Sequence, residues 1–297
     1  MGKRKANNSK GGSKNKKFRT SGFIDPSTSG IYATCNRGKE QQCRKELLNL
    51  FSDKAEEYFN LDELNEDSET EQNEKELSIE EKIQKELNDM QETKGTKKEI
   101  LKPIDLGCEC LVFIKTRRPI EPATFVEKLC EEFSQSKVKT TRYTQKLSPI
   151  TFSVTPTMEE IKKLAQRVLG PHFHKETNQK PYKFAIQVSK RNFNTLQKPD
   201  IIKAIAECVG RDHGHSVDLK NYDKLIMVEC YKSNIGMSVV NNYDRLERFN
   251  LQQIFEKSVD NESKDNVEES ETIQASDDAT NLNKKEEVEQ DEELKRD

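Results

Sequence analysis

Two adjacent cations, two amides and an aromatic ring stand together at Lys190-Arg191-Asn192-Phe193-Asn194. Cations neutralise phosphates, amides donate to phosphate or ribose oxygens, and a ring stacks on an unpaired base. Two further places carry the same chemistry. Lys139, Arg142, Tyr143 and Lys146 fall in one extended basic stretch, and Lys232, Ser233 and Asn234 fall between two apolar runs. For Phe193 a second reading stands level with stacking, in which the ring anchors the helix that follows to a core.

Catalytic patterns are missing. The chain has no GxxxxGK[ST] phosphate loop, no GxGxxG turn, no GxSxG elbow and no HxE with PCxxC. His172 and His174, His213 and His215, and Cys108 and Cys110 each stand two apart. Zinc pairs are usually spaced CxxC or HxxxH so that both side chains reach one ion. The cysteines therefore read as small core residues, and His172 and His174 as occasional RNA contacts. No metal and no cofactor are expected.

Charge supports a nucleic-acid partner once it is resolved along the chain. The 297 residues hold 50 Lys and Arg against 53 Asp and Glu, for a net charge of −3. Residues 1–20 carry eight cations and no acid, whereas residues 53–99 and 260–297 each carry a net −10. What remains, residues 21–52 and 100–259, carries +9. A basic body with acidic appendages is the electrostatic footprint of a nucleic-acid binder. No apolar run reaches the ~20 residues needed to span a bilayer, and the N-terminus lacks the apolar region of a secretion signal. Seven cysteines, an odd number set mostly in apolar segments, suit a reducing compartment. Lys3-Arg4-Lys5 and the later Lys14 to Arg19 have the composition of a nuclear address or a phosphate-grabbing arm. The expected localisation is nucleus or nucleolus and cytoplasm.

The elements that must position these residues follow from hydrophobic periodicity. Ile31 to Cys35 reads as a strand. A helix from about Lys39 carries Cys43, Leu47, Leu50, Phe51 and Tyr58 on one face. Residues 60–100 form an acidic insertion, within which Ser78 to Met90 has a capping box and an apolar stripe. Cys108 to Lys115 reads as a strand, Pro122 opens a helix with Phe125, Leu129 and Phe133 inward, and Val138 to Leu147 is extended. Thr157 then caps a helix stopped at Gly170-Pro171. The strand Tyr182 to Val188 alternates apolar and polar residues, Pro199 starts a helix closed by Gly210, and Leu225 to Cys230 with Ile235 to Val240 form a hairpin. The fold class is α+β, in two modules.

Four segments carry a family resemblance: Gly30 to Cys35, Thr141 to Ile150, Phe184 to Asn194, and Val217 to Asp223 with the strand after it. They resemble the ferredoxin-like domain plus THUMP domain of tRNA-modifying proteins, and most closely the THUMP-domain adaptor family of the tRNA acetyltransferase. The resemblance implies a disordered basic tail over 1–29, a ferredoxin-like domain over 30–136 interrupted by the insertion, and a THUMP domain over 137–243. A C-terminal segment over 244–297 would be acidic and disordered from about 260. It further implies tRNA as ligand, notably serine and leucine tRNAs, and an RNA cytidine acetyltransferase as the partner that forms acetylcytidine in the D-stem. Acetyl-CoA and ATP would be used by that partner, with no small-molecule substrate and no membrane contact for this chain. Fused methyltransferase, thiolase and pseudouridine-synthase domains are missing, which points to a non-catalytic adaptor. Two other readings stand: an RNA-modifying enzyme with an unrecognised site, and a protein acting on ribosomal or messenger RNA.

Overall fold

The computed structural model describes residues 22–59, 100–136 and 138–257. Its first sheet grows from β1 (Ser29–Cys35). Ile31, Ala33 and Cys35 face one way and Tyr32 the other, as period-two alternation requires. Helix α1 (Glu40–Phe59) buries Cys43, Leu47, Phe51 and Ala55, one residue per turn, against that sheet. Strand β2 (Leu101–Ile104) follows, then β3 (Leu111–Thr116), α2 (Pro122–Ser136) and β4 (Thr144–Ile150). The spatial order is β2-β3-β1-β4, antiparallel throughout.

Three expectations change here. β2 gives no apolar alternation and contains Pro103, so periodicity misses it; it lies at the sheet edge, where a proline's missing N–H costs no ladder bond. β3 starts at Leu111 rather than Cys108, because Cys110 adopts a positive φ of 58° that ends the turn before it. The break placed at residue 137 precedes β4, yet β4 pairs with β1 along its length and so belongs to the first sheet.

The second sheet holds β5 (Phe152–Val154), β6 (Lys183–Arg191), β7 (Ser216–Val217), β8 (Lys224–Tyr231) and β9 (Asn234–Val240). Their order is β5-β9-β8-β6-β7. Helix α3 (Met158–Phe173) begins at Thr157, whose hydroxyl accepts the Glu160 N–H at 3.3 Å. It continues through Gly170-Pro171, where a stop was expected. Pro171 stands in the last turn, and the chain beyond it still bonds back, His174 N–H to the Gly170 carbonyl at 3.0 Å. Helix α4 (Lys198–Val209) ends at Gly210 as expected. Ile226, Val228 and Cys230 of β8 face α3 and α4, and Leu225 and Met227 face the first module.

The two modules share one core. Phe51, Phe125 and Leu129 of α1 and α2 join Leu225, Met227 and Val240 of the second sheet. Tyr243, Leu246, Phe249, Leu251 and Ile254 return to the same cluster, so the segment after residue 243 packs before any acidic tail begins. At the other end, residues 22–28 are tied to the fold rather than part of a tail. Ile24 is buried, Gly22 N–H donates to the Asp105 carbonyl at 2.8 Å, and Ser27 N–H donates to the Ser153 carbonyl at 2.7 Å. Most of the acidic insertion, its Ser78 to Met90 stripe, residues 1–21 and the acidic C-terminal tail lie outside the described residues.

Candidate nucleic-acid interface

The loop entering β4 is held by a single carboxylate. Glu46 of α1 accepts the backbone N–H groups of Arg142, of Tyr143 at 2.9 Å and of Thr144 at 3.3 Å. Three N–H groups on one carboxylate fix the backbone; Thr144 is buried there, and the Arg142 side chain is left to solvent. The Arg142 guanidinium is exposed, 5.5 Å from the half-buried Tyr143 ring. Lys139 is exposed, with its ammonium 5.9 Å from the Phe255 ring. Lys146 is drawn inward, its Nζ donating to the Tyr243 hydroxyl at 2.8 Å.

The turn after β6 divides by role. β6 runs three residues further than its alternation predicts, because Ser189, Lys190 and Arg191 continue the parallel pairing with β8 as far as Tyr231. Lys190 Nζ donates to the Leu196 carbonyl at 2.9 Å and lies 5.5 Å from the Phe193 ring, so this cation ties down the loop. Phe193 is 3% exposed in the second core. Its anchoring reading therefore holds and base stacking does not, since a buried ring offers no free face. Arg191, Asn192 and Asn194 are exposed; Asn192 adopts a φ of 50° and places its amide 3.9 Å from the Cys108 thiol.

The hairpin loop contracts to Lys232 and Ser233 between β8 and β9. Lys232 donates to the Leu106 carbonyl at 3.2 Å and lies 5.3 Å from the Phe23 and Tyr231 rings, while Ser233 is exposed. Asn234 is buried, not a surface contact. Its amide donates to the carbonyls of Ile24 and Asp25, each at 3.3 Å, and to the Ser153 hydroxyl at 3.2 Å. It closes the N-terminal segment against the second sheet.

Tertiary structure brings two of these stretches to one seam. Lys146 and Arg191 line a polar cavity of about 80 Å³ between the sheets, with Thr34, Ser148, Ser189, Glu229 and Tyr231. Burial pushes the Glu229 carboxyl up, against the pull of the Ser148 hydroxyl and the Arg191 and Lys146 charges. Arg191 is an exposed residue of this lining, and Arg142 is exposed four residues before Lys146, at the entry to β4.

A larger cleft, about 840 Å³, opens at the opposite end of the second sheet between the N-terminus of α2 and the C-terminal half of α3. Arg118, Arg167 and His172 line it. The sequence marks Arg118 only as a residue before Pro119 and Arg167 only as a polar helix position, so their convergence has no linear signal.

Two of the histidines, His215 and His174, have structural roles. Tyr182 N–H donates to His215 Nδ1 at 3.1 Å, which leaves Nε2 to donate to the Phe173 carbonyl at 2.9 Å. His174 Nε2 is 3.0 Å from the Cys208 carbonyl. Among the described residues no group of three His, Cys, Asp or Glu side chains is placed to hold a metal ion. No helix among them is long and apolar enough to cross a membrane.

Known proteins match this arrangement. Residues 156–240, which run from the entry of α3 to the end of β9, match the THUMP domain family. A Saccharomyces cerevisiae protein named tRNA acetyltransferase TAN1 is 47% identical over 275 residues, spanning 86% of this chain and 94% of the yeast protein. The chain belongs to the THUMP-domain family of that protein. A second member, from Schizosaccharomyces pombe, is uncharacterised and 38% identical, spanning 84% of each chain. The human THUMP domain-containing protein 1 is 28% identical, spanning 80% of this chain and 67% of its own. THUMP family membership thus extends across both modules, because the long alignments cover the first sheet as well as the domain itself.

Proposed function

We propose that this THUMP protein binds tRNA and presents it to an RNA cytidine acetyltransferase, taking no catalytic part itself. The observation that carries the reading is the 47% identity to a protein named tRNA acetyltransferase, over nearly all of both chains. The site adds the physical means. Arg191 lines the seam with Lys146 and Ser148, Arg142 is exposed at the entry to β4, and Asn192, Asn194 and Ser233 are exposed neutral donors. The βαββαβ order of the first sheet supports a ferredoxin-like module. By family resemblance the ligands are serine and leucine tRNAs, modified at a D-stem cytidine. The setting, read from the basic N-terminal clusters and the cysteine usage, is nucleus or nucleolus and cytoplasm.

The relative's name favours a second reading, an acetyltransferase in its own right. Purified protein mixed with tRNA, acetyl-CoA and ATP decides between them. The adaptor reading expects tRNA binding without acetylcytidine, and acetylcytidine once the partner enzyme is added. Turnover by this chain alone would overturn it. Sequencing the RNA crosslinked to the protein in cells identifies the tRNAs and separates this function from one on ribosomal or messenger RNA.

A further inference from the structure

The cleft between α2 and α3 has the makings of a ligand site, and nothing in the proposed function uses it. Its volume of about 840 Å³ lies within the range of small-ligand pockets, roughly 300–1,000 Å³. Three features define its chemistry. First, the Arg167 guanidinium lies over the Phe152 ring with Cζ 3.6 Å from the ring centroid, a close cation–π stack. The outer face of such a stack is flat, polarisable and positively charged. Second, Ile120, Val168 and Val239 supply apolar wall. Third, the charges are unbalanced in a useful way. Glu121 is consumed by its own fold, accepting from Thr124 N–H at 2.7 Å, Thr124 Oγ1 at 2.8 Å and Thr151 Oγ1 at 2.8 Å. Glu127 is consumed likewise by Asn241, backbone and side chain. Arg118 and Arg167 are exposed and have no carboxylate partner among the described residues.

His172 lines the same cleft, half-buried. Burial and the nearby Lys224 charge hold its imidazole below the ordinary histidine range. It is therefore neutral at pH 7 and offers one donor and one acceptor, suited to a base edge.

A flat aromatic group bearing an anion satisfies all of these features together, and a nucleotide has that form. We propose that the α2–α3 cleft binds one nucleotide, its base on the Arg167–Phe152 stack and its phosphate at Arg118. The nucleotide comes either from an unpaired segment of a bound RNA or from solution. Only the RNA source rests on the function proposed above. The site is distinct from the seam at Arg191. Val239 and, just past the strand, Asn241 stand at the end of β9 that lies about 20 Å from its first residue, Asn234, at ~3.4 Å per residue. An RNA gripped at the seam reaches the cleft with an unpaired stretch of a few nucleotides.

The test uses the full chain and three labelled probes in fluorescence anisotropy: tRNA, a blunt RNA hairpin with no unpaired end, and an unstructured tetranucleotide. Arg118→Ala with Arg167→Gln is expected to weaken tetranucleotide binding at least tenfold and tRNA binding several-fold, leaving the hairpin unchanged. Arg142→Ala with Arg191→Ala is expected to weaken tRNA and hairpin and leave the tetranucleotide unchanged. AMP or CMP displacing the tetranucleotide at millimolar concentration assigns the site to free nucleotide; displacement by unlabelled tetranucleotide alone assigns it to RNA. Unchanged tetranucleotide binding in the Arg118/Arg167 variant overturns the proposal, as does wild-type protein that binds tRNA but neither tetranucleotide nor mononucleotide. In that last case RNA binding at the seam still stands. Loss of tRNA and hairpin binding altogether would instead remove the function proposed above and leave the nucleotide site to be judged by AMP and CMP.

Discussion

Glu46 Oε2 accepts the backbone N–H of Tyr143 at 2.9 Å, across 97 residues of sequence. The same carboxylate holds Arg142 and Thr144, so the first helix sets the conformation of the loop that opens β4. Without it, three N–H donors return to solvent and the loop gains conformational freedom. Glu46→Ala is expected to cost about 1–2 kcal/mol of stability and to weaken tRNA binding several-fold, through Arg142. Urea unfolding and anisotropy check the pair, and Glu46→Gln, which keeps one acceptor, recovers part of both effects.

The exposed arginines and the tethered lysine separate by salt dependence. For every phosphate that a variant no longer neutralises, the slope of log K against log salt flattens by about one unit. Arg142→Ala and Arg191→Ala are each expected to do so. Lys190→Ala removes a donor to the Leu196 carbonyl and is expected to lower stability by about 0.5–1.5 kcal/mol with the slope unchanged. Affinities at several salt concentrations would contradict this if Lys190→Ala flattened the slope as the arginine variants do.

Phe193 is a core residue at the edge of a basic turn. Phe193→Ala is expected to cost about 3–5 kcal/mol, as large-to-small core changes do. Phe193→Leu, which refills most of the space, should cost far less and bind tRNA as the wild type does under folding conditions. A selective loss of tRNA affinity in the stable leucine variant would restore the stacking role.

Glu229 makes the sheet seam sensitive to pH. Its folded-state carboxyl is raised above the ordinary value of 4.5 by burial. The native state therefore keeps a proton that the unfolded chain has released, and stability falls as pH rises through the window above 4.5. Glu229→Gln cannot ionise, so it is expected to remove that slope and to be more stable than wild type at pH 7. Urea titrations between pH 4 and 8 report the difference, and equal slopes in the two proteins would exclude Glu229 as its source.

Much of the candidate site was legible because strands and helices write their periods locally. The alternation from Tyr182 to Val188 and the hairpin halves at Leu225 and Ile235 name β6, β8 and β9 directly. The exposed members of the basic turn, Arg191, Asn192 and Asn194, followed from where that alternation ends. Asn234 and Lys232 did not. Their amide and ammonium resemble surface donors in the linear sequence, but residues 22–28 and Leu106 arrive from far away and consume them. β2 and the packed segment after Tyr243 were missed for a related reason, since neither repeats an apolar period long enough to stand out.

The sequence by itself determined the charge segregation, the helix caps at Thr157 and Gly210, the pairing of β8 with β9, and the family. These depend on residues close together or on composition, where neighbouring side chains decide the outcome. Only the tertiary structure decided which cations are free. Lys146 and Lys232 are each claimed by an oxygen on a distant segment and Lys190 by the Leu196 carbonyl of the turn that follows it, whereas Arg142, Arg191, Arg118 and Arg167 are left facing solvent. A long cationic side chain binds whatever acceptor the fold brings within reach, and that acceptor's position is set by the packing of both sheets rather than by sequence neighbours.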